Sequence, residues 1–148
     1  MANNQFVNEY LSADHRRLDL LFHGLVQAIK EEKNLDYQQS LFHLFKSGLL
    51  RHIHWEETIL FPIFEESTGM TQQGPTAVMR GEHEEMRTIL VYIEAEVEQG
   101  FNVDLLADLA NCLEAHNMKE EQILYPAIDQ ISSGDQQKIA LDISRDFV

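Results

Sequence analysis

The chain has 148 residues, 44 % of them apolar, with 7 glycines and 3 prolines, and this composition predicts one folded domain with a buried core rather than a disordered chain. Its 25 acidic and 11 basic residues give a formal charge of -14 at pH 7, which repels nucleic acid and anionic membrane surfaces. The single cysteine, Cys112, excludes an internal disulfide and a cysteine-rich zinc site. Because the first residues lack a signal-peptide pattern and no apolar run reaches membrane-spanning length, we expect a cytoplasmic protein.

Apolar residues recur at the three-to-four spacing of helices along most of the chain, without strand alternation, so the predicted fold class is all-α. Asp36 is a fair N-cap for the second helix, and Pro75 is a good first-turn residue for the third. The third helix is expected to end near Gly100. The predicted helical segments, four long and one short, cover residues 4–32, 37–66, 75–100, 104–131 and 136–147.

Two prolines, Pro62 and Pro126, lie inside the second and fourth segments, each ten residues after a histidine. A proline in a helix lacks an N–H donor and clashes with the preceding turn, so it kinks or ends the helix. The matched positions predict equivalent bends in two similar αα-hairpins, which close into an up-down antiparallel four-helix bundle. We therefore predict a single domain over 1–148, with the core bundle at about 4–132 and a C-terminal tail at 135–148.

An eleven-residue pattern, H-x-x-x-E-E-x-I-L-(F/Y)-P, occurs twice, starting at His52 and again 64 positions later at His116. Residues four apart share one face of a helix, so each copy places an imidazole beside a carboxylate as a two-toothed metal ligand. An isolated histidine precedes each copy, by 37 residues in the first half and by 33 in the second. The six predicted metal ligands are His15, His52, Glu56, His83, His116 and Glu120.

Six ionisable side chains in an apolar bundle core would each lose hydration, at a cost of several kcal/mol, unless a metal or a partner compensates them. Two half-sites of this kind suit two metal ions, with carboxylates bridging between them. Imidazole and carboxylate without thiolate favour iron, and manganese or zinc less strongly. The predicted partition assigns His15 and His52 to one ion, His83 and His116 to the other, and Glu56 and Glu120 to both.

The acids that follow the motif glutamates, Glu57 and Glu121, lie about 140° around an ideal helix from their histidines. We expect them to be solvated or to support the ligands rather than to bind metal directly. The remaining histidines have no partner at ligand spacing and are predicted to lie on the surface: His23, His43 and His54.

Small residues stand one turn before the motif histidines, Gly48 in the first half and Cys112 in the second. Close helix packing is the simpler interpretation, and the alternative is space for a diatomic molecule to reach the metals. Tyr10 and Tyr125 could gate or reduce the site, but a tyrosine at the edge of a bundle core usually packs with one hydrogen bond, and this is the role we expect.

The run Asp14–Asp19, the two motif copies and the run Glu82–Met86 resemble the hemerythrin-like, or HHE cation-binding, domains. The resemblance extends from Phe6 to about Ile131 and implies a non-haem di-iron site in an up-down four-helix bundle.

Oxygen-carrying hemerythrins have a second histidine four residues away on the third helix, whereas Met79 and Arg87 stand four residues either side of His83. The set of four histidines and two glutamates is instead similar to that of the di-iron domain of bacterial proteins that repair iron–sulfur clusters. Those proteins usually carry an additional N-terminal domain with paired cysteines, and this sequence contains one cysteine.

Two classes of function remain open. In the first, iron binds or reacts with O₂, NO or related small oxidants in sensing, scavenging or a stress response, with iron–sulfur cluster repair or iron donation as an alternative. In the second, a structural metal stabilises a non-catalytic interaction module. No general base, nucleophile or substrate pocket stands out beyond the metal ligands, so the sequence predicts neither enzymatic turnover nor a protein partner.

Overall fold

A computed structural model describes residues 5–145, and within this range the chain forms helices joined by short turns, without strands. The predicted all-α class is therefore confirmed. The helices are α1 (Phe6–Lys30), α2 (Leu35–Trp55), α3 (Phe61–Thr68), α4 (Pro75–Ala95), α5 (Val103–Lys119), α6 (Tyr125–Ile131) and α7 (Gln136–Arg145), with π-helical turns π1 (Glu56–Leu60) and π2 (Glu120–Leu124).

The helix ends follow local chemistry. Asn34 caps α2, its side chain accepting a hydrogen bond of 2.8 Å from the N–H of Tyr37, so the predicted cap, Asp36, is wrong by two residues. Asp36 lies instead in the first turn, where an acid interacts favourably with the helix dipole. Helix α4 ends at Ala95, before the predicted end near Gly100, because the chain tightens into turns over 96–99. The outer limits predicted for the first and last helices, residues 4 and 147, lie outside the described range.

The two motif prolines follow turns of π-helix rather than simple kinks. In π1 the N–H of Phe61 donates to the carbonyl of Glu56, five residues back, and π2 repeats this bond. The wider turn accommodates Pro62 and Pro126, which have no N–H to donate and would clash with a carbonyl four residues earlier in an α-helix. Helices α2 and α3 are thus joined through π1, and α5 and α6 through π2.

Two antiparallel hairpins build the bundle, α1 against α2 and α4 against α5, while α6 packs on α1 and α3. The up-down four-helix arrangement is therefore confirmed. Its interior has two apolar clusters. The first, with Phe42 and Leu90, extends to the end of α1 and to the turn that follows α4. The second, with Trp55 and Phe61, includes residues of α3 and α6. Helix α7 adds Ile139 to the second cluster. None of the described helices combines the length and apolar content needed to span a bilayer.

Candidate metal centre

The six predicted ligands lie inside the bundle, and each is at most 3 % exposed. They form two overlapping sets, each with two histidines and both glutamates, whose ligand atoms lie within 4.8 Å of one another. The grouping matches the predicted partition, although metal ligation by the individual residues stays a prediction. The sets are His15, His52, Glu56 and Glu120, and Glu56, His83, His116 and Glu120.

Distances within the cluster match those between ligand atoms around one ion. Metal–nitrogen and metal–oxygen bonds of about 2.0–2.2 Å separate neighbouring ligand atoms by about 3 Å. The Nε2 atoms of His83 and His116 are 3.2 Å apart, and Oε1 of Glu56 is 3.0 Å from Nε2 of His83. This half of the cluster is already at the required spacing.

Each glutamate lies between the histidines of both halves, as a bridging ligand must. Glu56 faces them with different oxygens, whereas Glu120 uses Oε1 for both. The distances are 3.0 Å from Glu56 Oε1 to His83 Nε2, 3.6 Å from Glu56 Oε2 to His52 Nε2, 3.1 Å from Glu120 Oε1 to His15 Nε2 and 3.2 Å from Glu120 Oε1 to His116 Nε2.

Two carboxylate oxygens in this cluster, Oε1 of Glu56 and Oε2 of Glu120, are buried without a hydrogen-bond donor among the described residues. Nε2 of His83 lies 3.0 Å from Glu56 Oε1, but it presents a lone pair when Nδ1 of that ring carries the proton donated to Glu57. Unpartnered buried carboxylate oxygens are strongly destabilising in a protein core. A cation between the two glutamates would compensate both atoms. The cluster therefore fits a metal in its electrostatics as well as in its spacing.

Every ligand histidine donates its Nδ1–H to a carboxylate and thereby turns Nε2 toward the centre of the cluster. Such hydrogen bonds fix the ring tautomer and orientation that a metal ligand needs. The acid before each isolated histidine bonds the motif histidine of its own half, and the acid after each motif glutamate bonds the isolated histidine of the other half. The four pairs are His15–Glu121 at 2.7 Å, and His52–Asp14, His83–Glu57 and His116–Glu82 at 2.8 Å.

Glu57 and Glu121 thus hydrogen-bond predicted ligand histidines, in agreement with the supporting role expected for them, whereas Asp14 and Glu82 were missed. Their signal in the sequence is an acid directly before the isolated histidine in both halves. Helical spacing could not identify their partners, because each bonds a histidine on the neighbouring helix of its hairpin.

Burial and charge make the two bridging glutamates unequal. Burial raises the pKa of Glu120, and repulsion from Glu56 raises it further. Burial acts in the same direction on Glu56, but attraction to His52 and several hydrogen bonds outweigh it and hold the pKa of Glu56 well below its usual value. At the rim, burial also opposes ionisation of Glu57, but hydrogen bonds from His83 and Arg87 lower its pKa to about 2. The two shared glutamates thus differ in how readily each loses its proton.

Tyr125 has a larger role than the predicted packing with one hydrogen bond. Its ring is fully buried, and its hydroxyl donates to Oε2 of Glu56 at 2.6 Å. The residue lies five positions after Glu120, a spacing that points away from the site in an α-helix but toward the same side in a π turn. Tyr10, by contrast, is 37 % exposed and packs on the rings of Phe6 and Trp55, as expected.

Gly48, the small residue one turn before His52, serves helix packing. A Cβ at Gly48 would lie 2.7 Å from Leu18 and 2.9 Å from Arg17, so α1 approaches α2 closely here. This confirms the simpler interpretation for Gly48. Cys112 is half-buried, with its thiol 3.5 Å from the carboxylate of Glu85. The three histidines predicted to lie on the surface are exposed: His23, His43 and His54.

One comparison with known proteins identifies a relationship. The family model described as Hemerythrin HHE cation binding domain matches residues 7–128, a range that contains both motif copies and both isolated histidines. No curated protein and no solved structure gives a significant match to the chain. Together, the family match and the buried histidine–glutamate cluster show a metal-binding site.

Proposed function

The chain belongs to the hemerythrin HHE cation-binding domain family, and we propose that its site holds two iron ions and binds small oxidants such as O₂ or NO. The observation that carries this proposal is the pair of buried two-histidine sets that share Glu56 and Glu120. The predicted ligand assignment is the one that we propose for the two ions.

The types of ligand are compatible with iron, and the proposed chemistry separates iron from zinc. Imidazole and carboxylate without thiolate suit non-haem iron, and the same donors also bind manganese and zinc. Iron also supplies the one-electron chemistry that reaction with O₂ or NO requires, which zinc cannot supply.

The surrounding residues suit a small ligand rather than a large one. Each proposed ion receives two imidazoles and two shared carboxylates, fewer than the six donors of an octahedral centre. Apolar rings lie against the histidines, such as Phe61, whose ring is stacked 5.6 Å from that of His83. These side chains exclude water from the cluster and leave room in the coordination shell for a molecule of one or two heavy atoms.

Anaerobic purification with metal analysis, followed by addition of O₂ or NO, tests the proposal. We expect two irons per chain, a near-ultraviolet absorption of oxo-bridged iron(III) after exposure to O₂, and a changed spectrum when NO is added to the reduced protein. His52→Ala and Glu56→Gln should lower the iron content in stages, and the exposed His43→Ala is the matched control.

Several results would contradict the proposal. Zinc or no metal in the purified protein would favour the alternative function, a non-catalytic interaction module. An iron spectrum that neither O₂ nor NO changes would favour it as well. Full iron content in both ligand variants would refute the residue assignment.

A further inference from the structure

The two motif copies end differently, in Phe61-Pro62 and in Tyr125-Pro126. Both rings are fully buried, and each lies against an isolated histidine. The ring of Tyr125 is 5.6 Å from that of His15 at 27°, and the ring of Phe61 is 5.6 Å from that of His83 at 9°. The correspondence between the two halves of the cluster therefore extends to these rings, and the phenolic oxygen is what distinguishes them.

That oxygen lies at ligand spacing from the atoms of one half-site. Its neighbours are Oε2 of Glu56 at 2.6 Å, Oε1 of Glu120 at 3.0 Å, Nε2 of His15 at 3.1 Å and Nε2 of His52 at 3.1 Å. These lengths equal the separations among the proposed ligand atoms themselves, which are about 3 Å around a single ion. An oxygen close to all four atoms occupies the position of a fifth donor to the same ion.

We propose that the Tyr125 phenolate is a ligand of the ion bound by His15 and His52, and that the ion bound by His83 and His116 has no equivalent protein donor. The inference rests on the proposed function of the cluster as a di-iron centre. When the metal–oxygen bond forms, the phenol loses its O–H proton, which is released to solvent as in other metal binding by ionisable ligands. Iron accepts tyrosinate as a ligand in other proteins.

The consequence is a division of labour between the two ions. The phenolate fills a coordination position and adds negative charge at the first ion, which stabilises its iron(III) state. The second ion faces the hydrocarbon ring of Phe61 and has four protein donors against five at the first ion, so it keeps one more position open. A small exogenous ligand therefore binds at the His83 and His116 ion.

The first test compares wild type with Tyr125→Phe by visible absorption and resonance Raman spectroscopy after iron(III) loading, with iron content measured on the same samples. We expect wild type to show a phenolate-to-iron(III) charge-transfer band and tyrosinate ring modes that shift when ring-deuterated tyrosine is incorporated. Tyr125→Phe should lose both signals. Tyr92→Phe, which changes a tyrosine on α4 that is 60 % exposed, should retain them.

The outcomes separate this inference from the function on which it rests. Wild-type protein with two irons and no tyrosinate modes would overturn the inference and leave the di-iron proposal intact. Protein that binds no iron would overturn both. Because the isotope shift is read in wild type, the result does not depend on whether Tyr125→Phe folds.

The reciprocal variant, Phe61→Tyr, tests the open position, with azide as the exogenous ligand. A second phenolate should double the tyrosinate intensity and weaken azide binding by at least about tenfold, because it occupies the position that azide would take. Doubled intensity with unchanged azide affinity would refute the assignment of the open position to the His83 and His116 ion.

Discussion

At the scale of single residues, the carboxylates that hold the predicted ligand histidines follow as regular a pattern as the histidines themselves. Asp14 accepts a hydrogen bond of 2.8 Å from Nδ1–H of His52, and Glu82 makes the equivalent contact with His116. A carboxylate in this position orients the ring and increases the electron density on Nε2. The negative charge of an acid that is not itself a predicted ligand thus contributes to metal affinity.

We predict that Asp14→Asn lowers iron affinity by about 10- to 100-fold. The amide oxygen can still accept the hydrogen bond, so the variant removes the charge while keeping the ring oriented. Titration against a competing chelator measures the effect.

Two further variants define what the result means. Glu82→Gln should reproduce the loss, since it changes the equivalent pair in the other half. Asp108→Asn, at an exposed position of α5, should have no effect. Wild-type affinity in both Asp14→Asn and Glu82→Gln would show that hydrogen bonding alone, without the charge, is sufficient.

At the scale of helices, side chains from α6 and α3 connect elements that are distant in sequence. Helix α1 has no side-chain cap of its own at Gln5. Instead the carboxylate of Asp129 on α6 accepts hydrogen bonds from the N–H groups of Val7 at 2.7 Å and Asn8 at 2.9 Å. Helix α6, which continues α5 through π2, is thereby attached to the start of α1.

Asp129→Ala should destabilise the protein by about 2 kcal/mol, because it removes a cap and leaves two N–H groups of α1 without their acceptor. Denaturant unfolding at neutral pH measures the loss, with Asp108→Ala as the exposed control. An unchanged unfolding midpoint in Asp129→Ala would mean that water replaces the carboxylate at no cost.

A second connection joins α3 to α4 and gives a pH-dependent prediction. Glu65 accepts hydrogen bonds from Arg80 Nε at 3.0 Å, from Arg80 Nη2 at 2.9 Å and from Thr76 at 2.7 Å. The hydrogen bonds from Arg80 lower the pKa of Glu65 below its usual value. A lowered folded-state pKa means that the stabilisation is present above the unfolded value of 4.5 and is lost as pH falls through the folded pKa.

Glu65→Gln should therefore destabilise the metal-free protein by about 1 kcal/mol at neutral pH, a value reduced for solvent screening at this partly exposed pair. The difference from wild type should shrink as the pH falls below the pKa of Glu65. Denaturant unfolding over a pH series measures it, and Glu66→Gln, at the exposed neighbouring position, is the control. A difference that is independent of pH would contradict the role of the ionised carboxylate.

The features that could be predicted from the sequence are those that depend on local spacing. Helical periodicity gave the all-α bundle, and the repeated motif identified side chains that meet inside it. The predicted cap of α2 was wrong because both Asn34 and Asp36 are good capping residues. Tyr125 was considered near the site, but its contacts with Glu56 and Glu120 were not predicted, because a π turn changes which side of the helix a residue faces and proline indicates a local distortion without specifying its geometry. Asp14 was missed because its partner is set by the register between α1 and α2.

At the scale of the whole molecule, the candidate metal centre lies between two apolar clusters and contains the buried ionisable side chains of the six predicted ligands. The chain also carries a formal charge of -14, so a bound cation relieves repulsion both within the cluster and over the whole protein. Metal binding and folding are therefore coupled, since the unfolded chain does not hold the six ligands together.

We predict that a strong chelator lowers the thermal unfolding midpoint and that added iron restores it in a concentration-dependent way. Binding to the folded state alone stabilises it by about 2.7 kcal/mol at a free metal concentration 100 times Kd. Calorimetry at several metal concentrations measures the shift. The chelator should have a smaller effect on His52→Ala, which is expected to hold less metal. The loss of stability on metal removal should also be local. Hydrogen exchange should increase most in peptides that contain π1 and π2. It should increase least around Phe42, in the apolar cluster that extends away from the predicted ligands. Equal midpoints with and without metal in wild type would show that the helices hold the cluster together unaided.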